Sequence, residues 1–190
     1  MRTKIAVVTG PTATGKTRLG IELARALDGE IVSGDSMQIY RGMDIGTAKP
    51  SPEELAAAPH HMIDIAEPAE EWSVSRYVEA ADAAVQDILS RGKLPIVVGG
   101  TGLYIDSLVR GTEFSERTEA GELCRAELEG RYDEIGGEAM LKELSQLDPE
   151  RAARLHPADK KRIVRAMEIY LLTGETMTEH DRRTRAQPPK

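Results

Sequence analysis

The sequence has few of the residues that staple a protein or anchor it in a membrane. Its 190 residues include one cysteine, Cys124, so no disulfide can form within the chain, and no zinc-type Cys/His spacing surrounds it. No apolar run approaches the length of a membrane span, and the N-terminal apolar run of four residues is too short for a signal peptide. These absences exclude disulfide-stapled, zinc-binding and membrane-spanning classes and predict a cytoplasmic protein.

Extremes of composition are also missing. Apolar residues make up 40% and charged residues 30% of the chain, which is typical of a globular domain. The net charge of −7 is unevenly distributed, because residues 151–190 hold 10 Lys/Arg against 5 Asp/Glu. The basic clusters at 160–165 and 182–185 could meet a phosphate backbone or could be solvated helix faces.

Strand and helix signals alternate along residues 4–110. Apolar runs predict strands at 5–8 and 95–98, and two further strands are predicted at 30–33 and 62–65. Helical spacing predicts helices at 17–27, at 74–88 with Ser73 as N-cap, and after Gly102. This alternation predicts an α/β fold in which helices flank a mostly parallel sheet with right-handed crossovers.

From about residue 114 the strand signals stop. Helices are predicted at 126–132, 138–147, 149–155 and 160–172. We therefore expect two domains, an α/β core at 1–113 and a helical subdomain at 114–190, joined near Thr112 to Arg117.

A glycine-rich loop lies between the first predicted strand and helix. Its residues match the pattern G-x-x-x-x-G-K-[ST] and are Gly10, Pro11, Thr12, Ala13, Thr14, Gly15, Lys16 and Thr17. In such a loop, backbone N–H groups and the helix N-terminus surround phosphate oxygens. Lys16 would reach the terminal phosphates, and the Thr17 hydroxyl would ligate Mg²⁺. The pattern predicts a phosphate-binding P-loop.

Other motifs limit which phosphate compound the loop holds. The buried strand at 96–98 ends in Gly99-Gly100-Thr101 and lacks the carboxylate that organises Mg²⁺ in a typical ATPase. A guanine-reading motif is also missing, since no acid follows Lys49. Both the motor and the switch interpretations are weakened.

Asp35 is the carboxylate best placed for chemistry. It follows the strand at 30–33, and we expect it at the P-loop edge of the sheet, one strand over from the loop. It could act as a general base or could form an Asx turn. Gln38 could pair with an adenine edge and Tyr40 could stack, or both could pack the loop. The Thr101 hydroxyl and N–H could bind an anion or support strand-to-helix packing.

Four other residues have mainly structural interpretations. His60 and His61 follow Pro59 and are assigned to a turn in preference to catalysis. Trp72 is expected to pack at the start of a helix. Asp64 could assist Mg²⁺ or cap a loop, and the sequence leaves both open.

Taken together, the motifs resemble the bacterial tRNA dimethylallyltransferase (tRNA isopentenyltransferase) family. The likeness runs from Ile5 to about Glu175 in the family's order. It is carried by GPTATGKT (10–17), GEIVSGDSMQIYRGMDIGTAKP (29–50), PHHMIDI (59–65), GGTGLYI (99–105) and HPADKKRIVRAMEIYLLTGE (156–175).

The resemblance implies a P-loop NTPase-like fold and a Mg²⁺-dependent transfer reaction. A dimethylallyl group would move from dimethylallyl diphosphate to N6 of the adenosine at tRNA position 37, beside the anticodon. The P-loop with Lys16 would hold the departing diphosphate, Asp35 would be the general base, and Thr101 would lie near the diphosphate and the flipped adenine. The enzyme would act as a monomer on the tRNA anticodon stem-loop.

The resemblance also implies a set of tRNA-binding residues. One part is the segment after the second strand, a second is the glycine loop, and a third lies in the helical region. These residues are Asp35, Ser36, Met37, Gln38, Thr101, Arg125, Lys161, Arg162, Ile163, Val164 and Arg165.

Two departures from the family pattern stand out. Family members are usually longer, so we expect a C-terminally truncated chain that lacks the rest of the family's core. Lys160-Lys161-Arg162 also replaces the usual Pro-Gln-Arg and keeps the positive charge. The competing interpretations are a small-molecule kinase, an adenylate prenyltransferase and a nucleotide-gated binding module.

Overall fold

A computed structural model describes residues 4–112 and 118–186. These residues form two compact units, residues 4–112 and residues 118–186. The first unit is α/β and the second is helical. Most of the expected junction, residues 113–117, and the basic end at 187–190 lie outside the described residues.

The first unit is built on a parallel sheet of four strands. They are β1 (Ala6–Thr9), β2 (Gly29–Ser33), β3 (His60–His61) and β4 (Leu94–Gly99), in the spatial order β1-β4-β2-β3. Val97 of β4 pairs with Val7 on one side and Val32 on the other. The prediction of a parallel α/β sheet is confirmed.

The third strand was predicted at the wrong residues. We expected residues 62–65, whereas β3 is the dipeptide His60–His61, which pairs with Ile31 and Val32 of β2. Met62 and Asp64 have left-handed backbone torsions, with φ of 65° and 54°. Such torsions are incompatible with an extended strand, so residues 62–65 form a turn instead.

Four helices flank the sheet. They are α1 (Lys16–Ala26), α2 (Pro52–Ala57), α3 (Val74–Ser90) and α4 (Gly102–Arg110). Ser73 caps α3 as expected. No helix was predicted at α2, although Ser51 and Glu54 form a reciprocal capping box at its start. One apolar cluster packs α1 and the end of α2 on the sheet and contains Ile21, Ala24, Ile31, Ala58, Ile96 and Val98.

The second unit contains five helices among residues 118–186. They are α5 (Glu119–Ile135), α6 (Gly137–Leu147), α7 (Pro149–Ala152), α8 (Lys160–Thr173) and α9 (Met177–Ala186). The core consists of Leu128, Met140, Leu144, Ala152, Ile163, Val164, Ala166 and Met167. Relative to the prediction, α5 begins earlier and α7 ends earlier, and α9 is additional. Across the described ranges, no helix combines the length and apolarity of a membrane span.

A buried ion cluster closes the amino end of β2. Glu30 is 3% exposed and accepts hydrogen bonds from both terminal nitrogens of Arg91. His61 Nε2 lies 2.8 Å and Lys93 Nζ 3.2 Å from its carboxylate oxygens. The Arg91 hydrogen bonds and these neighbours lower the pKa of Glu30 from 4.5 to about 2. The cluster therefore requires an ionised Glu30.

Replacing Glu30 by Gln should lower the free energy of unfolding of the α/β unit by roughly 3 kcal/mol at neutral pH, because the neighbouring cations lose their counter-charge. A folded-state pKa of about 2 against an ordinary 4.5 means that the stabilisation is complete above pH 4.5 and is lost as pH falls through 2. Urea unfolding measures it, with Trp72, the single tryptophan, reporting on this unit.

The matched control is Glu22→Gln, which removes a carboxylate from an exposed pair with Arg18 on α1. Its effect should stay within about 0.5 kcal/mol and should not depend on pH. A difference between wild type and Glu30→Gln that remains constant from about pH 5 to pH 2 would contradict the assignment.

Candidate functional site

A cavity of about 430 Å³ opens at the carboxyl edge of the sheet in the first unit. The P-loop forms one wall, the segment after β2 another, and residues 46–48 and 99–100 complete the rim. Because the carboxyl ends of parallel strands meet at this edge, ligands of α/β proteins bind there. The structure thus brings the predicted P-loop, Asp35, Met37 and Gln38 to one cavity.

The P-loop curls between the end of β1 and the start of α1. Gly15 is the N-cap of α1 and has a left-handed φ of 81°, which glycine adopts without strain. As glycine has no side chain to cap the helix, the first N–H groups of α1 are available to an anion. Thr14 Oγ1 and Lys16 Nζ both donate to the Pro11 carbonyl, which holds the loop closed on itself.

Two glycines bring the segment after β2 into backbone contact with the end of β4 and the loop that follows it. Gly34 N donates to the Val98 carbonyl at 2.8 Å, and Thr101 N donates to the Gly34 carbonyl at 3.1 Å. A Cβ added to Gly99 would lie only 2.2 Å from the Gly34 oxygen. The approach is therefore possible only without a side chain at Gly99.

The strand order corrects the expected position of Asp35. We predicted it one strand over from the P-loop, but β4 lies between β1 and β2, so two strand positions separate them. Gly100 spans the gap, since a Cβ there would lie 3.7 Å from the Gly10 oxygen and 4.0 Å from Asp35 Oδ2. Asp35 and the end of β1 at the P-loop consequently both lie next to Gly100.

The two oxygens of Asp35 have different environments. Oδ1 accepts a hydrogen bond from Met37 N at 2.9 Å, which is the Asx turn that the sequence left open. No described residue donates to Oδ2, and this oxygen is the one nearer to Gly100. Thr101 Oγ1 accepts from Ser36 N at 3.0 Å and fixes the same turn from the second loop. One carboxylate thus combines a structural oxygen with a free one.

The amide of Gln38 packs the loop. Its Oε1 accepts from Ser33 Oγ at 2.9 Å, and its Nε2 donates to the Ala48 carbonyl at 2.9 Å. While these bonds are made, the amide cannot form the bidentate adenine contact that we considered. The Tyr40 hydroxyl likewise donates to the Glu70 carbonyl. In this structure both side chains have the packing role, and contact of Gln38 with RNA stays a prediction.

His60, which we assigned to a turn, lies in β3 and lines the cavity. Its Nδ1 lies 2.8 Å from the Ala58 carbonyl. Its Nε2 is buried without a hydrogen-bond partner among the described residues. Burial lowers the pKa of His60, which favours the neutral ring. His61, by contrast, contacts Glu30 and has a structural role.

The residues present fit a Mg²⁺ ion that arrives with a phosphate ligand. Within residues 4–112 and 118–186 no group of three His, Cys, Asp or Glu residues could hold a metal by itself. Mg²⁺ commonly takes one or two protein ligands and completes its shell with phosphate oxygens and water. Thr17 lines the cavity and could supply such a ligand. Asp64 instead forms an ion pair with Lys49 at 2.7 Å, which gives it a structural role.

The predicted tRNA-binding residues of the second unit divide into two groups. Lys161 and Arg162 are exposed at the start of α8, and Arg125 and Arg165 both contact Glu168. The remaining two, Ile163 and Val164, are buried in the core of the unit. The prediction of tRNA contact is therefore corrected for these two side chains. It stays a prediction for the charged ones.

Trp72 has the packing role that its place in the sequence indicated. The Arg76 guanidinium lies over its ring, 4.1 Å from the ring centroid, at the start of α3.

These features define a class of protein. A P-loop NTPase-like group-transfer site combines a P-loop at a helix N-terminus, a parallel sheet and a carboxylate near the loop. The first unit has all three parts. The particular family follows from comparison with known sequences. A profile described as IPP transferase matches residues 38–190, and one described as isopentenyl transferase matches residues 3–71. The chain belongs to the IPP transferase family.

Curated relatives agree with this assignment. The chain is 54% identical over 177 residues to a tRNA dimethylallyltransferase from Exiguobacterium sp. and 50% identical over 182 residues to one from Geobacillus thermodenitrificans. These alignments cover 93% and 96% of the chain but 56% and 58% of the relatives. The chain therefore spans little more than half the length of these relatives.

Solved structures show the same fold. A tRNA isopentenylpyrophosphate transferase from Bacillus halodurans is 44% identical with a TM-score of 0.61, covering 92% of this chain and 57% of that one. A eukaryotic dimethylallyltransferase described as acting on tRNA is 29% identical with a TM-score of 0.79, covering 99% and 46%. The P-loop NTPase-like fold expected from the sequence is confirmed.

Replacing Gly99 by Ala should disrupt the site, because the added methyl overlaps the Gly34 backbone. We expect a loss of about 2 kcal/mol in unfolding free energy and a fall of at least about tenfold in affinity for inorganic diphosphate. Urea unfolding and isothermal titration calorimetry measure the two effects.

Gly102→Ala is the matched control. Gly102 is the first residue of α4, and a Cβ there meets nothing within 4 Å. Its stability and diphosphate affinity should equal or exceed those of wild type. If the two alanine variants have equal stability and equal diphosphate affinity, the Gly34–Gly99 contact does not determine the geometry of the site.

Proposed function

We propose that this protein transfers a dimethylallyl group from dimethylallyl diphosphate to N6 of the adenosine beside the anticodon of tRNA, releasing diphosphate. It would act as a cytoplasmic monomer. The observation that carries the proposal is that the Asp35 carboxylate and the P-loop line one cavity and both lie next to Gly100. A base and a leaving-group clamp are the two parts that this transfer needs.

The step itself is a nucleophilic substitution at carbon. The lone pair of the adenine N6 amine forms a bond to C1 of the dimethylallyl group as the C1–O bond to diphosphate breaks. The electron pair of that bond leaves with the diphosphate. An N6 proton passes to the Asp35 carboxylate, to whose Oδ2 no described residue donates a hydrogen bond. Proton removal during attack helps a weakly nucleophilic amine.

The P-loop stabilises the leaving group. Negative charge grows on the diphosphate as the C1–O bond breaks, and the N–H groups at the start of α1 point toward it. Lys16 adds a positive charge once it exchanges its Pro11 contact for a diphosphate oxygen. When bound, Mg²⁺ would neutralise diphosphate charge with Thr17 as a ligand.

The acceptor base must leave its stack to reach this cavity. Ser36 and Thr101 hold the turn that presents Asp35, so the carboxylate keeps its position while the base enters. The second unit offers exposed cationic side chains at Lys161 and Arg162 for the RNA backbone. The names of the relatives support tRNA as the acceptor. The chain spans only 56% to 58% of the length of these relatives, so the activity of the whole protein is part of the proposal.

Replacing Asp35 by Asn should lower the rate of transfer by about 100-fold or more, because the amide cannot accept the N6 proton. Affinity for dimethylallyl diphosphate should change little, since the P-loop makes the donor contacts. The measurement is transfer of label from radiolabelled dimethylallyl diphosphate to unmodified tRNA with adenosine beside the anticodon. Calorimetry gives donor affinity.

Asp106→Asn is the control, because Asp106 is an exposed carboxylate on α4 whose one ion pair among the described residues is with Arg110 in its own helix. Each variant is also placed in a chimera in which this chain replaces the aligned 58% of the Geobacillus relative. Near-normal transfer by Asp35→Asn would remove Asp35 from the base role. No transfer by chain or chimera, with phosphorylation of a small acceptor from ATP, would identify a kinase instead.

A further inference from the structure

Glu168 is a buried acid in the second unit that the proposed chemistry does not use. It lies on α8 and is 3% exposed. Arg125 of α5 donates to both carboxylate oxygens at 2.9 to 3.3 Å, and Arg165 Nη1 donates to Oε2 at 2.9 Å. Two arginines from two helices thus share one carboxylate.

Holding α5 against α8 does not require this acid. Leu128 of α5 already packs in the same apolar cluster as Ile163, Val164 and Met167 of α8. Replacing a buried ion cluster by apolar residues is often neutral or stabilising, so helix packing gives little reason for a buried charge here. What Glu168 adds is a fixed position for two guanidinium groups.

Both guanidinium groups keep free donors on the solvent side. The Arg125 and Arg165 side chains are 44% and 42% exposed. Among the described residues, their hydrogen bonds go only to Glu168, which leaves Arg125 Nη1 and Arg165 Nε and Nη2 unpaired. Two positive charges on one carboxylate leave an excess of one, the charge that a phosphodiester neutralises.

Other ion pairs of the same unit differ in this respect. Arg131 pairs with Glu143, and Lys160 pairs with Asp133, in each case one cation with one partly exposed acid. Those two pairs have no excess charge. Glu150 also pairs with two arginines, Arg154 and Arg182, but its side chain is 43% exposed, so none of these pairs has a buried anchor. The Arg125–Arg165 pair combines excess charge, free donors and a rigid carboxylate, as a phosphate site requires.

We propose that Glu168 is a positioning residue that holds Arg125 and Arg165 together as one binding site for a backbone phosphate of the RNA substrate. The proposal rests on the proposed function, because it needs RNA as the acceptor. Lys161 and Arg162, one turn before Arg165 on α8, extend the cationic surface on the same helix. Arginine forks suit phosphate because they donate two parallel N–H bonds.

Glu168→Gln separates positioning from simple electrostatics. The substitution raises the net charge beside the arginines by one, so charge alone predicts tighter RNA binding and a steeper salt dependence. Loss of positioning predicts the opposite, because the guanidinium groups no longer share an anchor. The sign of the change therefore decides between the two.

The experiment measures binding of the 190-residue chain to an unmodified, fluorescein-labelled anticodon stem-loop RNA between about 50 and 200 mM salt. Glu168→Gln should bind about fivefold to tenfold more weakly than wild type. Glu143→Gln makes the same charge change away from the arginine pair and should bind no more weakly than wild type. Binding by Glu168→Gln that equals or exceeds that of Glu143→Gln would overturn the proposal.

A double-mutant cycle tests the pair even if Glu168→Gln fails to fold, which helical circular dichroism would detect. Arg125→Gln and Arg165→Gln should each weaken binding about tenfold, and the double variant little more than either. The salt slope should fall by about one in total, as for a single phosphate. Additive losses, or no loss from either arginine, would refute a shared site.

The outcomes also separate this proposal from the proposed function. Wild-type chain without saturable RNA binding would count against tRNA as the acceptor and would overturn both. Ordinary wild-type binding with unaffected arginine variants would overturn the phosphate site alone. In that case prenyl transfer to tRNA would stand.

Discussion

The close contact between Gly34 and Gly99 is the constraint on which the site depends. Parallel strands β2 and β4 end at the same sheet edge, and Gly34, directly after β2, lies against Gly99, the last residue of β4. The two backbones approach this closely because Gly99 has no side chain. The Thr101 hydroxyl then accepts a hydrogen bond from the turn that carries Asp35, and Gly100 lies close to both Asp35 and the Gly10 carbonyl. The proposed base and the leaving-group clamp are therefore positioned by main chain.

The sequence predicted the parts of the fold that have local signals. Glycines at 10 and 15 with Lys16 specify the P-loop, and continuous apolar runs specify β1, β2 and β4. The third strand could not be placed in this way. A short, mostly apolar segment such as residues 62–65 can form either a strand or a turn with left-handed residues, and its sequence does not distinguish the two. The short helix α2 has too few apolar positions to show a period, although its capping box was readable.

The sequence predicted most residues of the candidate site but not how they are arranged. Asp35 was identified as a candidate general base, yet the position of β4 between β1 and β2 is a property of sheet order that no local pattern encodes. Gln38 could be assigned to packing only once its partners Ser33 and Ala48 were visible. The sharing of Glu168 by Arg125 and Arg165 joins residues 43 positions apart and arises only when α5 packs on α8. Such pairings depend on tertiary structure and lie beyond spacing rules.

The strand β2 has a buried ion cluster at its start and the proposed base just after its end. Glu30 and Asp35 are five residues apart, which at the rise of an extended chain is about 17 Å. Sites at that separation with no shared partner usually respond to substitution independently. Acid resistance and turnover are thus separable traits in this protein, and an engineer or natural selection could alter one while leaving the other in place.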